Sequence, residues 1–221
     1  MQKKQSIDKT LVQRCQGWDR WQGSHYELSI CYASSSLSKL ACLHLFRYVW
    51  DDANLLGVVD SPDKFGEPWQ NEDDIDTTKG RHYYGCLRLT DNKITGCAST
   101  FIHSGDTTWF SLYIPLGLIG QIFSVRYPVT YEENPWTKTV DALFASIGIG
   151  VYQLMPFKLA VFGEEASMIP IDRLLANLAN DPGLLIPEAL FKQRGIAPHG
   201  LRSNEGLWWT GGKNGAYQGN A

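Results

Sequence analysis

The chain has 221 residues, of which 43% are hydrophobic and 19% are charged, and this composition excludes a largely disordered protein. Its formal net charge of −3 argues against general nucleic-acid binding, which depends on a basic surface. We therefore expect a globular protein with a sizeable core and no nucleic-acid partner.

The N-terminus and the cysteines indicate the compartment. Residues 1–19 carry lysine and arginine with no apolar run behind them, so we expect no signal peptide. No stretch has the roughly 20 consecutive apolar residues of a membrane span. Five cysteines without a CxxC pair fit a reducing compartment better than a disulfide framework. The prediction is a cytoplasmic protein that does not contact a membrane.

The first clear element is a strand over residues 25–32, where apolar and polar residues alternate with the period of two that indicates one buried face. Residues 34–36 break this pattern and offer an N-cap for a helix over 37–50. The predicted inward side of that helix consists of Leu37, Leu40, Ala41, His44, Leu45 and Tyr48.

Residues 60–80 have no periodic pattern and contain seven acidic residues against two lysines. A connection of this length is usually functional or disordered. Two interpretations stay open: a solvated acidic loop, or a contact surface for a basic partner. In the second interpretation the contact residues are Trp69, Asp73, Asp74 and Asp76, because aromatic side chains dominate interface energies and charges steer association.

Three strands in the middle of the chain predict an antiparallel meander. They cover residues 82–90, 94–103 and 107–114. Asp91-Asn92 suits a two-residue type I′ turn between the first two strands. That turn places Cys86 opposite Cys97, with α-carbons about 4.5–5.5 Å apart.

A second turn, at Gly105-Asp106, pairs Phe101 with Phe110. One face of the meander is then expected to carry His82, Tyr84, Cys86, Cys97, Ser99, Phe101, His103, Phe110 and Leu112. The other is expected to carry Tyr83, Leu87, Leu89, Ile94, Ile102, Trp109 and Tyr113. Both faces are too apolar to be fully solvated, so we expect other elements to pack on each.

A long amphipathic helix over residues 135–154 follows, with Asn134 as its predicted N-cap and Pro156 as its stop. Its apolar stripe consists of Val140, Leu143, Phe144, Ile147, Val151 and Leu154. The β-rich run over 157–163 predicts a strand that rejoins the same sheet through a strand–helix–strand crossover. Later elements are helices over 170–180 and 187–195 and an edge strand over 206–210.

Together these elements predict an α+β fold, in which an antiparallel meander sheet of about four to six strands carries the long helix and additional helices. We expect a single domain over residues 1–221. The acidic loop at 60–80 and a frayed Gly- and Asn-rich tail at 211–221 are its appendages.

Candidate catalytic residues are few. Glu164 and Glu165 stand at the end of a predicted strand, where ligands of α/β sheets tend to bind and where a carboxylate can act as a general base. The alternative is an ordinary solvent-exposed acidic loop. His82, Tyr84 and His103 project from one predicted face and complete the set of candidates.

Two residue pairs could begin a metal site, Cys86 with Cys97 and His82 with His103. Protein zinc sites use three or four ligands, and no third ligand can be identified for the histidine pair. The cysteine pair could also oxidise together, or be two small buried residues of the sheet. The sequence also contains no phosphate-binding, hydrolase, metalloprotease or kinase motif. We therefore expect no metal and no cofactor.

Two functions from different classes follow. The first is a non-enzymatic cytoplasmic binding protein that acts by protein–protein contact, as an immunity-like or regulatory inhibitor of a basic partner would. The second is a small-molecule enzyme, a hydrolase or transferase, with a pocket at the strand end near Glu164. A deep pocket that holds His82, Tyr84 and His103 would favour the enzyme, whereas an open acidic and aromatic surface would favour binding.

Overall fold

The computed structural model of the chain describes residues 9–65, 80–89, 93–167, 169–176, 183–198 and 200–210. Within these ranges nine strands form one antiparallel sheet, and six α-helices accompany it. The fold is therefore α+β with an antiparallel sheet, as the sequence predicts. The sheet is larger than the predicted four to six strands.

The strands are β1 (His25–Ala33), β2 (Leu55–Val59), β3 (Tyr83–Arg88), β4 (Ile94–Ser104), β5 (Thr107–Pro115), β6 (Leu159–Glu164), β7 (Gly183–Pro187), β8 (Leu201–Arg202) and β9 (Leu207–Thr210). The helices are α1 (Lys9–Cys15), α2 (Lys39–Trp50), α3 (Leu116–Ile119), α4 (Trp136–Leu154), α5 (Ile171–Ala176) and α6 (Glu188–Arg194). Across the sheet the strands follow the order β2-β3-β4-β5-β1-β6-β7-β9-β8. The first strand of the chain thus becomes the central strand of the sheet.

Three strands were not predicted, and all of them are short. β2 and β7 have five residues each and β8 has two. A short apolar run without alternation cannot be separated from a loop or a buried helix by periodicity. The predicted edge strand, β9, pairs with both β7 and β8, so β8 is the edge instead.

The predicted register between β3 and β4 is wrong by one residue. Cys86 pairs with Gly96, and Cys97 pairs with Gly85, which puts the two cysteines on opposite faces. The backbone N–H of Leu89 donates to the carbonyl of Lys93, so three residues lie between this hydrogen-bonded pair where a two-residue turn is predicted. A shift of one residue reverses every side chain of a strand because strands have a period of two.

The register between β4 and β5 is confirmed. Phe101 pairs with Phe110, and Ser104 pairs with Thr107 across a two-residue turn. Gly105 has a φ of 58°, a left-handed conformation that glycine adopts without steric cost.

The helix face of the sheet carries the main core, where α2 and α4 pack on the strands. This core includes Leu28, Ile30, Leu87, Cys97, Phe101, Phe110, Leu112 and Phe162. On α4 the stripe residues Val140, Phe144, Ile147 and Val151 are buried, but Leu154 is 50% exposed. The helix ends before Pro156, as predicted. The crossover from β5 through α4 to β6 stays a prediction.

Helix α2 is rotated relative to its predicted stripe. It buries Cys42, Leu45, Phe46 and Val49, and it exposes Leu40, His44 and Tyr48. Both sets are apolar at helical spacing, so periodicity alone could not choose between them. The N-cap is Ser38, whose hydroxyl accepts from the N–H of Ala41 at 3.1 Å.

The back face of the sheet is also covered, which confirms the expectation that elements pack on both faces. One apolar cluster joins β1, β5, β6 and β7 to α5 and α6. A second cluster, which we call the α1 cluster, joins β3 and β4 to α1 through Leu11, Cys15, Val59, Phe65, Tyr84, Cys86 and Ala98. Among the helices described, none combines the length and the apolar character needed to cross a bilayer.

Candidate functional site

A buried polar network occupies the back face of β1, between the two apolar clusters. Glu27 and Ser29 are only 1% and 0% exposed. The Glu27 carboxylate accepts from the Ser29 hydroxyl at 3.1 Å and from the backbone N–H of Ser167 at 2.5 Å. Ser29 in turn shares a 2.5 Å hydrogen bond with Ser111 on β5. A buried carboxylate with these partners is held in one orientation.

His25 is the partly exposed member of the network. Its Nε2 lies 3.6 Å from Glu27 Oε2, and its side chain is 31% exposed. The neighbouring Glu27 carboxylate raises the pKa of His25. Burial acts to raise the pKa of Glu27, but contacts with His25 and Ser167 lower it overall. The contact therefore favours the protonated form of the His25 imidazole and the charged form of the Glu27 carboxylate beneath it.

The first testable consequence is that Glu27→Gln should lower the pKa of His25, because the substitution removes the charge that stabilises the imidazolium. Titration of the imidazole resonances by NMR measures this directly. The matched control is Glu132→Gln, which neutralises an exposed acid on the loop before α4. An unchanged His25 titration in Glu27→Gln would show that the two groups do not interact.

Beside this network lies a group of rings that we call the aromatic–histidine patch: Trp18, His25, His82, Tyr84 and Tyr113. The Tyr113 ring is centred 5.0 Å from His25, and its hydroxyl lies 2.8 Å from His82 Nδ1. The Trp18 ring packs edge-on against Tyr84 at 5.7 Å and is 50% exposed. Burial, together with the nearby His25, lowers the pKa of His82.

The ends of the acidic segment meet the same region. Trp18 Nε1 donates to Asp63 at 3.1 Å. Arg81 and Lys64 both pair with Asp60, at 3.0 and 2.8 Å. Residues 65 and 80, which flank the acidic run at 66–79, are thus fixed near the aromatic–histidine patch.

The strand-end glutamates lie in different surroundings. Glu165 is exposed, has a φ of 46°, and donates its N–H to the His25 carbonyl at 3.0 Å. Glu164 pairs with Tyr26 in the sheet, which turns its side chain toward the helix face. Burial and the charge of Glu165 raise the pKa of Glu164. Glu165 is therefore joined to His25 through the backbone, and the charge of His25 also acts on Glu164, where it opposes the rise in pKa.

The two predicted site histidines belong to opposite faces. His103 hydrogen-bonds Thr108 Oγ1 at 2.9 Å, whereas His82 contacts Tyr113 on the back face. Both line an open depression of about 320 Å³ at the edge of β4. Tyr84, whose pKa is raised to about 12 by burial, lies outside this depression, as does Glu164. The predicted grouping of His82, Tyr84 and His103 on one face is wrong for His103.

Other predicted site residues cannot be placed. Trp69, Asp73, Asp74 and Asp76 lie outside the described residues. Across the part of the chain that the structure does describe, no three His, Cys, Asp or Glu side chains converge in a way that could hold a metal ion.

A second buried carboxylate, Asp141 on α4, lies on the helix face. It accepts hydrogen bonds from the hydroxyls of Tyr26, at 2.7 Å, and of Tyr131. Burial raises its pKa to about 7, although the two tyrosines oppose the shift. Asp141 therefore ties the loop before α4 to the central strand.

The sequence carries one signal for the Glu27 network. His25, Glu27 and Ser29 alternate with the apolar residues of β1, and such a pattern normally indicates a solvated face. Here β1 is the central strand, and both of its faces are covered. A glutamate in a strand that proves to be central is a candidate site residue.

Comparisons of the chain with protein-family models, with curated proteins and with solved structures found no match.

Proposed function

We propose that this chain is a non-enzymatic cytoplasmic binding protein, which contacts a basic protein partner through the acidic segment 60–80 and the aromatic–histidine patch. The observation that carries the proposal is the position of the patch. Its exposed Trp18 donates a hydrogen bond to Asp63, which lies close in sequence to the start of the acidic run at 66–79. Aromatic anchors next to a strongly charged segment are the combination found in electrostatically steered interfaces.

The charge of the segment supports a basic partner. Seven acidic residues against two lysines attract a basic surface and repel an acidic one. Inhibitors of basic toxins or nucleases are likewise small, acidic chains without catalytic motifs, so an immunity-like or regulatory inhibitor is the proposed class. The open form of the surface also favours binding. Neither the depression at the edge of β4 nor a second one, of about 650 Å³ beside α6, brings Glu164 together with His82 and Tyr84.

Association kinetics test this proposal once a partner has been isolated by co-purification and identified. Neutralising Asp73, Asp74 and Asp76 together should lower the association rate and flatten its salt dependence. Trp18→Ala and Trp69→Ala should each raise the dissociation rate about 30-fold, equivalent to about 2 kcal/mol at a hot spot. Surface plasmon resonance across a salt series measures both rates.

The control variants remove the same kinds of side chain, acidic and aromatic, from a different part of the surface. The double variant Glu132→Gln/Glu133→Gln removes exposed acids from another loop, and Tyr127→Ala removes an aromatic side chain that is 65% exposed. Both should leave the two rates unchanged. If the patch and segment variants behave like these controls, the contact surface lies elsewhere.

A second candidate, a hydrolase or transferase, is favoured by one observation. The half-buried His25 is backed by the fully buried Glu27, an arrangement that suits general acid–base chemistry. A panel of chromogenic esters and phosphate esters would detect such an activity. It should be lost in His25→Ala and kept in Tyr127→Ala, and turnover that survives in His25→Ala would exclude this site.

A further inference from the structure

Two buried thiols meet in the α1 cluster. Cys15 is the last residue of α1 and Cys86 lies in β3, and their side chains are 1% and 0% exposed. Both belong to the same apolar cluster, and each thiol shifts the pKa of the other. Cys97, the expected neighbour of Cys86, belongs to the core on the helix face instead.

Gly96 makes room for this contact. It is the direct cross-strand partner of Cys86, and a Cβ built on it would lie only 3.1 Å from Cys15 Sγ. Directly opposed positions in a sheet have Cβ atoms about 4.5–5.5 Å apart. The Cys15 sulfur therefore lies next to Gly96, on the face of the sheet that also carries the Cys86 side chain.

The two thiols are not chemically equivalent. Hydrogen bonding with Cys86 lowers the pKa of Cys15, and the positive charges of Arg14 and Arg20 add to the effect. The same contact, together with burial, raises the pKa of Cys86. Cys15 is therefore the thiol that ionises first and becomes the nucleophile.

We propose that Cys15 and Cys86 are an oxidation site, at which hydrogen peroxide forms an intramolecular disulfide between them. The Cys15 thiolate attacks one peroxide oxygen, so that an S–O bond forms, the O–O bond breaks and the released hydroxide takes up a proton to become water. The Cys86 sulfur then attacks the Cys15 sulfenic acid, forming the S–S bond and releasing the second water. Two thiols are oxidised, and one peroxide is reduced to two waters.

Burial of both sulfurs means that peroxide reaches them when α1 lifts from the sheet. This helix has only seven residues, and short elements open locally at low free-energy cost. Once formed, the disulfide fixes α1 to β3. It also holds the turn that carries Trp18, which begins three residues after Cys15.

Peptide mapping tests the proposal on the wild-type protein. After peroxide treatment the remaining thiols are alkylated, and the protein is digested with trypsin without reduction. Cleavage after arginine releases Cys15 in peptide 15–20 and Cys86 in peptide 82–88, and neither contains another cysteine. The expected product joins these two peptides and leaves Cys31, Cys42 and Cys97 alkylated.

Three results would overturn the proposal: no disulfide, a disulfide that involves another cysteine, or separate oxidation of Cys15 and Cys86 to sulfinic acids. As a specificity control, Cys42→Ser removes a buried thiol of the helix face and should leave the cross-link intact. Cys15→Ser should abolish it. Because the mapping is decisive on wild-type protein, a folding defect in either variant does not affect the conclusion.

Discussion

Replacing Phe144 by alanine should lower the free energy of unfolding by about 3–5 kcal/mol, the usual cost of truncating a large core side chain. Phe144 has no exposed surface, and its ring stacks on Tyr26 of the central strand at 6.4 Å. The substitution removes contacts between α4 and the sheet and leaves a cavity that neighbouring side chains fill only in part. Urea denaturation followed by circular dichroism measures the loss.

Leu154→Ala provides the control on the same helix. Leu154 belongs to the same apolar periodicity but is 50% exposed, so its truncation should change stability by no more than about 0.5 kcal/mol. Equal losses in the two variants would contradict the position of α4 on the sheet.

The second large effect concerns Asp141 and pH. In the folded protein its pKa is raised to about 7, whereas an unfolded aspartate titrates near roughly 3.9. Between these values the folded state binds a proton that the unfolded state lacks. The stabilisation is therefore complete below about pH 4 and is lost as the pH rises through 7.

Asp141→Asn removes this titration. The stability of the wild type relative to the variant should rise by roughly 3 kcal/mol between pH 7 and pH 4, since the full slope of about 1.4 kcal/mol per pH unit holds only well between the two pKa values. Urea denaturation of both proteins at each pH gives this difference, in which the contributions of other groups cancel. Parallel stability curves would show that Asp141 is ionised normally in the folded protein.

The sequence predicts the fold well where the determinants are local. The Gly105-Asp106 turn sets the register of β4 and β5, and Pro156 marks the end of α4. Prediction is wrong where two local patterns compete. The loop after Leu89 has three residues instead of two. The extra residue shifts the register, so that Cys86 and Cys97 lie on opposite faces of the sheet.

The candidate site was less predictable because it depends on which strands become neighbours. Tyr84 and His82 were predicted as site residues from the meander alone. Glu27 becomes buried only because β1 inserts between β5 and β6 in the sheet. The contact between Cys15 and Cys86 likewise joins an N-terminal helix to a strand far along the chain, and no local pattern records it.

The central claim is that a basic partner binds at the acidic segment and the aromatic–histidine patch. Hydrogen–deuterium exchange of the chain, with and without its identified partner, tests it most directly. The expected result is slower exchange in peptides that cover residues 16–25 and 60–86, with no change in α6 or in the depression of about 650 Å³ beside it. Protection confined to α6 and that depression, with unchanged exchange over 60–86, would contradict the claim.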